Sequence, residues 1–180
     1  MKKLAILGAS AALAAMPVVG VFATDITTMT DVLTISVEDT CTFDAASHSY
    51  SATMEANQLN ENVGTTLMKV TCNNYTGYTV TGAFGDLNGN GSNKIAFAST
   101  APTAGSGTWA AYSTPTVGGS AGTAAYLTNG GEVIKNTQQT PAGGDSASIV
   151  YKASTTNNQA AGTYTNASAA VYTLAKNPAS

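Results

Sequence analysis

The chain has 180 residues, a formal net charge of −3, and no arginine among its seven basic residues. That balance excludes the basic footprint needed for nucleic acid and the planar forks that grip phosphate or acidic sugars. Threonine, serine, asparagine, glycine and alanine fill much of the rest. With valine and tyrosine among them, they favour strands joined by tight turns over charged amphipathic helices.

The opening, MKKLAILGASAALAAMPVVGVFATD, has the order of a secretory leader: Lys2 and Lys3, an apolar run, then small residues around Val21-Phe22-Ala23. Residues 1–23 are expected to form a helical signal peptide and residues 24–180 a single exported β-domain. Loss of Lys2 and Lys3 leaves the remainder more acidic still. No later run reaches the length a membrane span requires. The expected location is extracellular or at the cell surface, with passage through a periplasm if the cell has an outer membrane.

The first strand pattern is DVLTISVEDTCTF, in which Leu33, Ile35, Val37, Cys41 and Phe43 share one parity. Alternation at period two predicts that this face meets a core and that the Cys41 thiol points inward. A second strand puts Met68, Val70 and Cys72 on one face, with Leu67, Lys69 and Thr71 opposite. Two inward cysteines in an exported chain with no third thiol predict a disulfide, worth about 3–4 kcal/mol by loop-closure entropy.

A turn at NNYTG leads into YTVTGAF, with Tyr78, Val80 and Phe84 on one side. KIAFA follows the break at GDLNGNGSN. From Ser99 to Ser148 the chain is rich in glycine, serine, threonine and alanine. GTWAAYS, GTAAYL and EVIKN read there as short hairpin strands. SASIVYKAST then places Ile149, Tyr151 and Ala153 on one face, and a closing strand ends near Leu174. About eight short strands, with turn signals roughly every 8–12 residues, predict an all-β, two-sheet sandwich.

Sites of sharper chemistry do not assemble from spacing. Asp86, Asn88 and Asn90 imitate the start of a calcium loop, but its ninth and twelfth positions fall on Lys94 and Phe97. An Asn-Gly hairpin loop is the expectation there. GGSAG at Gly118–Gly122 matches a nucleophile elbow in letters alone, because the chain's one histidine, His48, lies upstream. No metal or cofactor site is expected, and no acid–base pair supports an enzyme. Trp109, Tyr112 and Tyr126 are candidate ligand contacts, able to form an aromatic platform for a glycan. Against that, the chain's one tryptophan is expected in the core.

Three segments together resemble the spore coat protein U family, which includes secreted pilus subunits. They are Cys41-Thr42-Phe43 after an alternating run, VTCNNYTGYTV from Val70 to Val80, and QAAGTYTNASAAVYTL from Gln159 to Leu174. The resemblance implies an immunoglobulin-like sandwich whose first two strands are joined by Cys41–Cys72. It also implies a structural coat or fibre subunit that associates with its own kind or with other surface subunits. Assembly would proceed by strand donation, with Ile26 and Met29 in the candidate donor segment. The alternative expectation is a monomeric secreted adhesin that binds a glycan or host surface.

Overall fold

The computed structural model describes residues 33–44 and 47–178, and the chain divides into Met1–Ser36 and Val37–Ser180. The expected signal peptide and the candidate donor residues Ile26 and Met29 lie outside the described residues. In the first unit, Leu33 to Ser36 form no strand and are exposed. Among the described residues, every strand lies in the second unit and no helix occurs.

The long alternating runs become the long strands. They are β1 (Cys41–Phe43), β2 (Leu59–Cys72) and β3 (Tyr78–Phe84), followed by the short pair β4 (Leu87–Asn88) and β5 (Lys94–Phe97). Next come β6 (Thr108–Val117), β7 (Ser120–Ala121), β8 (Ala125–Tyr126) and β9 (Glu132–Asn136). The chain closes with β10 (Asp145–Ser154) and β11 (Ala170–Lys176). One sheet runs β1-β2-β10-β6-β5-β4, with β7 and β8 also on β6; the other runs β11-β3-β9. All pairings are antiparallel except β5 with β6.

A shared core makes this pair of sheets sandwich-like. Met68 and Val70 of β2, Ala147 and Ile149 of β10, and Trp109 and Ala111 of β6 come from the large sheet. Tyr78, Val80 and Phe84 of β3 and Val133 and Ile134 of β9 come from the small one. Both expected faces hold, with Leu67, Lys69 and Thr71 turned to solvent. Cys41 stands opposite Cys72 in the β1–β2 ladder and the two are disulfide-bonded, as the inward parity requires.

The first strand is the principal correction. Leu33, Ile35 and Val37 are 83%, 76% and 79% exposed, and pairing with β2 begins only at Cys41. Alternation makes a segment competent to be a strand, but a strand also needs an edge to bond. The β1–β2 ladder begins at Cys72, the last residue of β2. Beyond it Asn73 caps the junction, accepting from Thr40 N, donating its own N–H to Thr40 O at 3.0 Å, and giving its side-chain amide to Glu38 O at 2.9 Å. Upstream of Cys41 the described residues therefore carry a strand pattern without a strand.

The far end of β11 is tied by Asn177. Its side chain donates to Thr76 O at 2.8 Å and Asn136 O at 2.9 Å and accepts from Thr79 Oγ1 at 2.8 Å. Its carbonyl accepts from Thr76 Oγ1 and Asn74 Nδ2. Thus the residues following Tyr172 continue the strand and then lock it to the turn after Cys72.

Candidate functional site

Among the described residues, two sheet edges on one side of the sandwich are unpaired over all or most of their length. β11 ends the small sheet, and β2 is covered by β1 only from Val70 to Cys72. An unpaired edge presents a row of main-chain donors and acceptors that another chain can bond. Here the two edges flank a cleft between the sheets rather than a smooth surface.

Inward-facing side chains line this cleft. Phe43 comes from β1, Met68 from β2, Tyr151 from β10, and Ala170 and Tyr172 from β11; with His48 and Tyr50 they surround a cavity of about 340 Å³. No lysine or carboxylate lines it. The Tyr151 and Tyr172 hydroxyls are 3.0 Å apart, bridging the two sheets by a hydrogen bond. Burial pushes both phenols above the usual tyrosine range. The chemistry on offer is apolar burial, neutral hydroxyls and the main chain of two edge strands.

Segment 47–56 runs beside β2 without becoming a strand. Its attachments are made by side chains. His48 Nδ1 is 3.3 Å from Thr66 Oγ1, and the Tyr50 hydroxyl donates to Thr65 O at 2.9 Å. Tyr50 rests against Tyr151 with ring centres 5.5 Å apart. Beyond Tyr50 lies a second cavity, about 840 Å³, bounded by Met54, Val63, Leu87, Ile95, Ala153 and Tyr164.

The candidate ligand contacts do not form one platform. Trp109 is 4% exposed, with its indole N–H donated to Gly85 O at 3.1 Å and its ring against Phe84 and Phe97. Tyr112 and Tyr126 meet on the opposite face of the sheet, ring centres 4.9 Å apart, with Lys152 Nζ 5.5 Å and 5.8 Å away. At the calcium-like loop, Asp86 is occupied by Lys94 at 2.7 Å and by Phe97 N at 2.9 Å. Its carboxyl is held below the ordinary aspartate range by the Lys94 hydrogen bond first and the Phe97 amide second. Gly89 N donates to Asn93 O at 2.8 Å, closing the β4–β5 hairpin.

Sequence reasoning missed the cleft residues Tyr50, Tyr151 and Tyr172 as a group, and Gly64 under the Tyr50 ring. A signal for Tyr50 was present: His48, Tyr50, Ala52 and Met54 alternate at period two just ahead of β2. No protein-family model, curated protein or solved structure matches the chain.

Proposed function

We propose that this protein is a non-enzymatic structural subunit of a surface coat or fibre, similar to spore coat protein U and pilus subunits, joined to its neighbours by strand addition. One observation carries the reading. Among the described residues, the same chain has an exposed, strand-patterned segment outside either sheet and a cleft flanked by two edges, β11 without an outer strand and β2 bonded by β1 only at Val70–Cys72.

Leu33, Ile35 and Val37 of one copy enter the cleft of the next, and their main chain bonds along β11. Each buried side chain gains about 1.5–3 kcal/mol over its exposed state. Main-chain bonds provide attachment, and the alternate side chains select the register. This moves the donor from the expected Ile26 and Met29 to the segment directly before β1. In this reading the sandwich has the immunoglobulin-like topology with one strand place left open. The Cys41–Cys72 bond fits an oxidising compartment outside the cytoplasm, in keeping with the leader-like first residues.

Electrophoresis without boiling tests it. The exported chain should give a heat-labile ladder, and Ile35→Asp should collapse that ladder to one band. A wild-type chain that stays monomeric at high concentration would falsify the reading. The alternative, a monomeric glycan-binding adhesin, draws support from Tyr112 and Tyr126 alone, since Trp109 is enclosed. Glycan binding lost in Tyr112→Ala, by a chain that never forms a ladder, would favour it.

A further inference from the structure

Tyr50 lines both cavities, the 340 Å³ cavity beside Tyr172 and the 840 Å³ cavity beside Met54. Its ring lies on Gly64, the residue of β2 that pairs with Tyr151. A Cβ at Gly64 would stand 2.6 Å from Tyr50 Cδ1 and 2.8 Å from its Cβ. Only a residue without a side chain leaves that seat. Gly64 also carries no positive-φ demand, so packing rather than backbone conformation explains the glycine.

The ring is seated, but weakly. Tyr50 is 41% exposed, and its one hydrogen bond goes to Thr65 O, a main-chain acceptor on β2. Between Asp44 N, which donates to Lys69 O, and Asn57 N, which donates to Thr156 O, the described residues of this segment make no main-chain bond to β2. Side chains at alternate positions thus lie along β2 as a strand's would, without the ladder that would fix them.

We propose that Tyr50 is a built-in plug: it divides one long cleft into two cavities and is displaced when a strand enters. The regulatory consequence rests on the strand-addition reading, but the plug itself is a property of the single chain. Removing the ring joins the cavities and bares Gly64, Tyr151 and the Thr65 carbonyl. Entry of a strand must first release the ring, so the plug sets the rate of assembly and shields apolar surface before a partner arrives.

The test compares wild type, Tyr50→Ala and Gly64→Val as full exported chains held dilute. Two readouts are used: amide hydrogen exchange over Gly64–Met68, and association of a labelled synthetic peptide with the sequence of residues 31–39. Gly64→Val expels the ring without altering Tyr50, giving an independent route to the open state. Both variants should exchange faster over that stretch and take up the peptide about ten-fold faster, the factor expected from one hydrogen bond and a ring contact already given up. Unchanged exchange in Tyr50→Ala, or measurable peptide uptake at the same rate in wild type and both variants, overturns the plug. Faster exchange with no peptide uptake by any of the three upholds the plug and rejects strand addition.

Discussion

The Tyr78 hydroxyl donates to Asp145 Oδ2 at 2.8 Å, so a phenol of the small sheet is held by a carboxylate of the large one. Asp145 is 1% exposed and also accepts from Asn136 Nδ2 and Gly118 N, each at 2.7 Å. Asp145→Ala would leave three donors without their partner and is expected to cost about 3–5 kcal/mol. Tyr78→Phe removes one donor and should cost about 1–2 kcal/mol. Urea denaturation gives both values, and equal midpoints for Asp145→Ala and wild type would refute the account.

Alkaline pH should reveal the enclosed phenols. Burial raises Tyr78, Tyr151 and Tyr172, and at Tyr78 the hydrogen bond to Asp145 raises it further. A raised folded value means that the unfolded chain releases these protons first. The stabilisation is therefore complete below about pH 10, the unfolded tyrosine value, and is lost as pH climbs towards the folded ones. Absorbance titration of the eight tyrosines should show a set that ionises only with unfolding. A single transition for all of them in the folded chain would contradict this.

Trp109 is the chain's one tryptophan, so its emission reports the core without ambiguity. Wild type should emit at short wavelength and resist acrylamide quenching. Trp109→Ala should cost about 3–5 kcal/mol, since the ring packs against Phe84, Phe97 and Tyr151. Strong quenching in the folded chain would place the indole at the surface instead.

Strands were legible where one face is apolar and the other polar. β3 gives Tyr78, Val80 and Phe84 in plain alternation, and all three are buried. The second half of β2 reads equally well, because Met68, Val70 and Cys72 meet the core. Its first half, Leu59 to Thr66, carries no such pattern, since there the inner face borders the open cleft. The error at Leu33–Val37 has the opposite cause. The pattern is strong, but pairing depends on a neighbour that local sequence does not encode. The cleft stayed hidden for a related reason: Tyr50, Tyr151 and Tyr172 are brought together by sheet edges distant in the chain.

Within β6, alanine hid the core. Ala110 and Ala111 have no exposed surface, yet they contribute little to a hydrophobic pattern. The strand read as GTWAAYS, ending at Ser113, runs on through Pro115 to Val117 and turns at Gly118-Gly119, both at positive φ. Turn chemistry there was readable from composition; the strand's length was not.

Lysine placement has a practical outcome for proteolysis. Every lysine among the described residues lies within a strand: Lys69 in β2, Lys94 in β5, Lys135 in β9, Lys152 in β10 and Lys176 in β11. With arginine absent, trypsin finds no target in any described loop and must wait for a ladder to unzip. Digestion by trypsin thus measures how often strands come apart, whereas a protease of broad specificity measures the breathing of the glycine-rich connections. Run side by side on one sample, the two enzymes separate global opening from local motion.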